Sequence, residues 1–330
     1  MKIVILGSAC FEGFEIAKRL LDLNNKVYGI DDLITEYEHD LKIERNNILL
    51  KYKNFEFIKL PKENKGIESL FRGDTVDYVM DLDSRDYYYQ FDKNWRYSPY
   101  TETNVLGTTK VFELAVELKA KKFIYGSKHS IYGITKKELL TEKKIIPKPI
   151  SPVGSSKLAG EKVVEFMSQH YNMPTVVFRF FSSYGPYMDP HKLIYRFIEK
   201  IHHGERELIM HTPTSTTRDF IYSTDLVNFV TASLDKRLKF QIFNIASGIS
   251  YSMEDLADVI AEEMGVKEKI KVVMHRKDFT KLVVKKQEAD ISKAVQMLNY
   301  IPQVDLHTGI RNTVKWYLET QKHKDRFHVG

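Results

Sequence analysis

One cysteine, Cys10, is present in 330 residues. That excludes an internal disulfide and any cysteine-cluster metal site. Long hydrophobic runs are missing as well. None approaches the ~18–20 residues needed to cross a bilayer, and the apolar start at residues 3–6 is cut by Gly7 with Glu12 soon after, which does not read as a signal peptide. A reduced, cytoplasmic setting without membrane contact is expected. Glycine and proline are sparse, at 16 and 10 residues, and no repeat or low-complexity tract is visible. With 43% hydrophobic residues, a packed core is expected instead of a disordered or collagenous chain. Charge of one sign is also in short supply, with 50 basic against 44 acidic residues and a net charge of +6. This falls short of the basic stripe of a nucleic-acid binder, so no nucleic-acid partner is expected, and it suits an anionic small molecule. The lysines at 136, 137, 143, 144 and 148 read as a solvated loop. His191, His202 and His203 show no metal-ligand spacing, so no metal is assigned.

What is present is a regular alternation. Compact apolar runs at 2–6, 26–30, 55–59, 76–82, 122–125 and 175–180 predict strands. Between them, helical spacing covers 11–23 (Phe11, Phe14, Ala17, Leu20, Leu21), 101–118 (Val105, Thr109, Phe112, Val116) and 153–170. Such alternation predicts an α/β fold, a Rossmann-type doubly wound parallel sheet with helices on both faces. The second half is less regular. Helices are expected at 191–203, 224–234, 252–264 (Ser252 as N-cap, Asp255 three residues on), 291–298 and 307–319, with a short strand at 219–222. Length suggests roughly two domains. The expected division is 1–182, with a return segment about 219–247, and a smaller C-terminal α/β lobe in 183–330. Ligands of such sheets sit beyond the C-terminal strand ends, which directs attention to residues 7–13, 31, 81–84, 126–133 and 181–187.

The first strand runs into Gly7-Ser8-Ala9-Cys10-Phe11-Glu12-Gly13, which opens a helix. Glycines there permit a tight turn and close packing, and a helix N-terminus offers N–H groups to a pyrophosphate. Asp31 ends the second strand, 18 residues after Gly13. A carboxylate in that place can accept both ribose hydroxyls of NAD and repels the extra phosphate of NADP.

Further segments follow in order: Asn104-Val105-Leu106-Gly107-Thr108, Ser130-Ile131-Tyr132-Gly133, the run from Ser151-Pro152-Val153 to Gly160-Glu161, Arg179-Phe180-Phe181, Tyr184-Gly185-Pro186, Arg218-Asp219-Phe220-Ile221-Tyr222, Asp225-Leu226, Asn244-Ile245 and Asp290-Ile291-Ser292. Together with the glycine loop they resemble the extended short-chain dehydrogenases/reductases, in the branch of NAD-dependent nucleotide-sugar epimerases and dehydratases. The resemblance implies bound NAD, a nucleoside-diphosphate sugar as ligand with a UDP-sugar the leading candidate, and transient oxidation at a sugar carbon, usually C4. It also implies a homodimer through the helices at 101–118 and 153–170. It assigns Gly7, Cys10, Phe11, Gly13, Asp31, Asp32, Leu82, Asn104 and Lys157 to the cofactor and Ser127, Ser182, Arg218 and Asp219 to the substrate.

The chain departs from that family's pattern where protons are moved. Val153 stands at the Tyr of the Tyr-x-x-x-Lys motif, and Lys157 keeps the Lys. An isopropyl group cannot accept a hydroxyl proton. Lys128 replaces the usual Ser or Thr, while His129 and Ser130 occupy the acid pair of dehydratases. Cys10 replaces the middle Gly of the loop, Lys59 an Asp that meets adenine, Asp83 an Ala, and Ser182 an Asn. Lys157, Lys128 and His129 are therefore the expected catalytic group, with Ser127, Tyr184 and Asp83 behind them. The tyrosines at 87, 88 and 89 are candidates for lining the sugar pocket. The alternative is a catalytically inactive NAD or nucleotide-sugar binder acting as a scaffold or regulator.

Overall fold

The computed structural model describes the chain apart from residues 35–38, 63, 65, 72–74, 87–95, 135–138, 144–146, 211–212, 275–285 and 328–330, and apart from the side chains of 39, 40, 68 and 322–327. In chain order the elements are β1 (Lys2–Leu6), α1 (Phe11–Asp22), β2 (Lys26–Asp31), α2 (His39–Leu49), β3 (Phe55–Lys59), β4 (Tyr78–Asp81), α3 (Ser98–Thr101), α4 (Thr108–Glu117), β5 (Lys122–Lys128), β6 (Leu139–Leu140), α5 (Pro152–His170), β7 (Thr175–Phe180), β8 (Ser182–Tyr184), α6 (Leu193–His202), β9 (Glu207–Met210), β10 (Thr217–Tyr222), α7 (Ser223–Ala232), β11 (Phe240–Ile245), β12 (Ser250–Ser252), α8 (Met253–Glu263), β13 (Lys271–Met274), β14 (Lys286–Ala289), α9 (Ser292–Leu298) and α10 (Leu306–Phe327). A π-helical stretch, Glu102–Gly107, joins α3 to α4.

Seven strands form one parallel sheet in the order β11-β7-β5-β4-β1-β2-β3. Alternate side chains of β1 feed opposite faces: Ile3 and Ile5 join Phe14, Leu20 and Phe229 on one side, and Val4 and Leu6 join Val79, Phe112 and Phe123 on the other. Both faces are covered, so β1 reads as an unbroken apolar run. The chain leaves β1 toward β2 and β3 on one side and toward β4 and β5 on the other. The strand order reverses there, and the crevice beyond Leu6 is where a ligand belongs.

The sheet is tied to α5 by an ionic network. Arg179 on β7 grips Glu161 of α5 with two parallel bonds, Nε to Oε1 at 3.0 Å and Nη2 to Oε2 at 2.7 Å. Its Nη1 donates to the Tyr132 hydroxyl at 2.9 Å, which donates to Asn244 at 2.6 Å. The Ser127 hydroxyl also donates to Glu161 at 2.5 Å. Arg179 and Glu161 are 3% and 2% exposed, so the pair has lost its water and depends on these partners.

A second sheet runs β12-β10-β14-β6, with β8 pairing β10, and β9 pairs β13. Helices α6, α8 and α10 pack a separate core that also takes in Phe11 from the first turn of α1. The start of α1 is thereby anchored in the second core. Ser252 and Asp255 form a reciprocal capping box at the start of α8, as their spacing predicts. β10 covers the short strand expected at 219–222, whereas the other strands of the second sheet and the polar helix α2 were not expected from the sequence. Strands of two to four residues, such as β6, β8 and β12, hold too few side chains to display a period. No helix among the described residues is long and apolar enough to cross a membrane.

Candidate active site

The loop after β1 is shaped by two glycines with different tasks. Gly7 adopts φ +80°, and a Cβ on it would stand 2.5 Å from the Asp83 backbone nitrogen. A Cβ on Gly13 would stand 1.9 Å from the Gly7 carbonyl oxygen. The turn is thus pressed against the end of β4. The first helical bond of α1 runs from the Phe14 N–H to the Cys10 carbonyl at 2.8 Å. The N–H groups of Phe11, Glu12 and Gly13 are left without an intrahelical acceptor. Asp31 is aimed into this crevice: its carboxylate accepts the Ala9 N–H at 3.0 Å and the Leu33 N–H at 2.8 Å, and pairs with Lys42 at 3.0 Å. Asp32 instead caps the Ile34 N–H at the surface. The Cys10 thiol lies 3.7 Å from Asp83 and 4.0 Å from Asp31, and burial pushes it well up from its usual range. Lys59 is exposed at the end of β3, in register with Asp31.

Behind the loop lies an ion pair that the sequence did not reveal. Lys62 reaches back to Asp81 at 3.0 Å and to the Asp83 carbonyl at 3.0 Å, while Thr108 donates to Asp81 at 2.7 Å. Lys62 fills the space opposite Gly107, where a Cβ would meet its Cε at 2.6 Å. Burial would raise the Asp83 carboxyl, yet Lys62 and Lys42 hold it below its usual range. Asn104 is buried and spends its amide on Arg85 and Ser156. Leu82 is buried beside the loop, its N–H bonded to the Leu6 carbonyl.

Lys157 is wholly buried and donates to the Gly126 carbonyl at 2.8 Å. Burial, and next the like charge of Lys62, pull its ammonium from 10.5 down to about 7. In the window from pH 7 to 10.5 the unfolded chain binds a proton at this side chain that the folded chain does not, so folding becomes more favourable as pH rises through it. Lys157→Met removes that dependence. The urea-midpoint difference between wild type and variant should shift toward the wild type across this window, and a flat difference would mean an ordinary lysine pKa.

A cavity of about 740 Å³ opens between the two sheets, walled by Glu12, Lys128, His129, Val153, Ser182 and Arg218 among others. Lys128 is held by Glu12 at 3.1 Å and Asp86 at 3.0 Å. Burial alone would lower its pKa, but the two carboxylates raise it above the usual lysine range, so it enters the cavity as an ammonium that donates hydrogen bonds and keeps its proton. His129 bonds the Phe180 carbonyl through Nδ1 at 3.2 Å and stacks on Phe181. Burial, then the charge of Arg218, lowers it to about 4, which keeps it neutral near pH 7. Arg218 is fixed by one bond, Nη1 to Gln287 at 3.2 Å. Its Nε is buried without a partner, and no described carboxylate pairs with it. Asp219 does not face the cavity freely: it accepts bonds from Ser247, Gly248 and Ala289. Tyr184 lines the cavity, but its hydroxyl lies where a Cβ on Gly309 of α10 would be.

The cavity thus brings together Lys128, His129, Ser182 and Arg218, while Ser127, Asp219, Asn104 and Lys157 are engaged around it. Tyr87, Tyr88 and Tyr89, and the lysines at 136, 137 and 144, lie outside the described residues. Glu12, Lys62 and Lys192 were missed. The acid in the first helical turn was a signal for Glu12; nothing local marks the two lysines.

The residues around the loop suit a dinucleotide: a glycine turn, helix-start N–H groups without an intrahelical acceptor and an oriented carboxylate at the end of the next strand. Residues 3–246 match the model of the NAD dependent epimerase/dehydratase family. An uncharacterised UDP-glucose epimerase of Bacillus subtilis is 31% identical over 96% of this chain and 98% of its own length. The UDP-glucuronate 4-epimerase of Thermodesulfobacterium geofontis is 29% identical, with 96% of both chains covered. Among solved structures, the UDP-glucuronic acid 4-epimerase of Bacillus cereus in complex with UDP-glucuronic acid and NAD aligns with a TM-score of 0.86 at 27% identity, covering 97% of this chain and 100% of that one. Strand order, loop and sequence agree over nearly the full length, and the chain belongs to the NAD-dependent epimerase/dehydratase family.

Proposed function

We propose that the chain binds NAD and a nucleoside-diphosphate hexose, UDP-linked, and oxidises the sugar transiently at C4 as an epimerase or dehydratase. The observation that carries this reading is Arg218, a buried guanidinium with an unpaired N–H in the wall of the cavity beside the nucleotide loop. Such a group calls for an anion, and paired N–H donors suit diphosphate oxygens. The Bacillus cereus neighbour was solved with both kinds of ligand, which supports the same pair here. Gly7, Gly13, Asp31 and the start of α1 would hold the cofactor, with Cys10, Phe11, Asp32, Leu82 and Asn104 at its margins. NAD in that place would supply the hydride acceptor. Lys157 would donate to the cofactor's ribose, and Ser182 would border the substrate.

Val153 lines the cavity one helical turn before Lys157, so the proton at the reacting hydroxyl has to be handled by other groups. Lys128 holds one at Nζ inside the cavity, and His129 is a neutral imidazole beside it. A second reading, a binder without turnover, is favoured by one observation: the Lys128 ammonium is already committed to two carboxylates.

The division at 182, with the segment about 219–247 returning to the first domain, is part of the reading, as is a cytoplasmic site for the lone thiol. So is a homodimer through α3–α4 and α5, where Leu106 and Phe166 are 50% and 66% exposed. The test is direct. The purified protein is denatured, the released nucleotide is identified, and UDP-, dTDP-, GDP- and CDP-sugars are followed by NMR. NAD released together with a changed UDP-sugar is expected. Binding without product selects the second reading, and neither binding nor product sinks both.

A further inference from the structure

The most unusual group in the cavity is Glu12. It occupies the first turn of α1, yet its carboxylate leaves the helix and enters the cleft. One oxygen, Oε1, receives three donors: Lys128 at 3.1 Å, Lys192 at 3.2 Å and the Ser183 hydroxyl at 2.6 Å. Lys192 also donates to that hydroxyl at 2.8 Å and lies 4.3 Å over the Phe11 ring. Burial would raise the Glu12 carboxyl, but the two lysines hold it well below its usual range, so it stays ionised. Two ammoniums and a hydroxyl converging on one carboxylate oxygen form a complete recognition site for a carboxylate, displayed with the protein's own carboxylate inside it.

The position of this cluster gives it a use. Lys128, Lys192, Arg196 and Arg218 share the wall with Glu12 and Asp86, four cations against two carboxylates. Arg218 has its own vacancy. The lysine pair is separate from it, and among the described residues the only carboxylates it meets are Glu12 and, at Lys128, Asp86. A ligand with one anionic centre needs only Arg218. A ligand with a second anion at its sugar end can compete with Glu12 for the lysines.

We propose that Lys128 and Lys192 form a second anion subsite in the cleft, screened by Glu12 in the ligand-free chain, which selects nucleotide sugars bearing a carboxylate on the sugar. The proposal rests on the nucleotide-sugar reading above and adds the sugar's acidity to it. Lys192 and Glu12 are specificity determinants with opposite effects. Lys192→Met removes one ammonium. Glu12→Gln keeps the Ser183 bond, removes the competing charge and leaves both lysines for the ligand.

Dissociation constants of UDP-glucuronate and UDP-glucose are measured by calorimetry on the full chain, together with that of NAD. The readout is the ratio of the two sugar affinities. The wild type should prefer UDP-glucuronate. Lys192→Met should cut that preference about tenfold and Glu12→Gln should raise it several-fold, the range of one charged hydrogen bond. Both variants moving the ratio the same way, or neither moving it, overturns the subsite. So does a Lys192→Met effect confined to NAD, which would make the lysines partners of the cofactor's pyrophosphate. A wild type that binds UDP-glucose and UDP-glucuronate equally also overturns the subsite and leaves the function reading standing, whereas a wild type that binds no nucleotide sugar removes both. Circular dichroism checks that each variant is folded, and the opposite signs separate recognition from a structural loss.

Discussion

Arg218→Met should leave the ligand-free protein as stable as the wild type or more stable, while weakening a UDP-sugar by about 2–3 kcal/mol, roughly thirty- to 150-fold. The two halves of this result have one cause. Arg218 has a single described bond, to Gln287, its Nε has none, and burial alone lowers its pKa. A buried cation without an anion costs free energy in the empty protein, and Met of similar length fills the space without that cost. When a diphosphate enters, the guanidinium supplies charged hydrogen bonds that Met cannot. Calorimetry and thermal melting together decide the matter. A variant that binds normally removes Arg218 from the ligand site. One that melts far below the wild type shows that the guanidinium holds the fold through contacts with the chain itself.

The opposite outcome is expected at Arg179, although both arginines are buried. Arg179→Met should destabilise the fold by about 3–5 kcal/mol, because Glu161 would remain in the interior without its bidentate partner. The Tyr132 hydroxyl would lose its Arg179 donor in the same step. The double variant Arg179→Met, Glu161→Leu should recover much of the loss, since replacing both charges leaves no uncompensated ion. Urea denaturation of this double variant and of each single variant, Arg179→Met and Glu161→Leu, measures the coupling. A loss below about 1 kcal/mol for the single variant would show that the pair behaves as a solvated one. As α5 carries both Val153 and Lys157, loosening this tie should also disturb whatever the cleft binds.

These two arginines show how far the sequence can be read. Both stand in recognisable segments, and the reading assigned Arg218 to the substrate. Nothing in the local sequence distinguishes a guanidinium with a bidentate partner from one with an empty N–H. Asp219 illustrates the same limit. Adjacent to Arg218 and assigned to the substrate with it, its carboxylate turns instead to Ser247, Gly248 and Ala289, bonds that span up to 70 positions. Asp31 was easier, because strand, loop and helix place it within 24 residues of Gly7 by local rules alone.

Strands β1 to β5 and β7, helices α1, α4 and α5 between them, the glycine turn and the capping box at Ser252 were determined by the sequence alone. Each depends on spacing within a few residues, where backbone geometry leaves little choice. The ionic partners were decided only by the tertiary structure. Glu12 meets Lys128 and Lys192 across 116 and 180 positions, and Lys62 turns inward to Asp81, 19 positions on. A charge carries no address along the chain. Its partner is whichever opposite charge folding brings within about 4 Å in a place that water cannot reach.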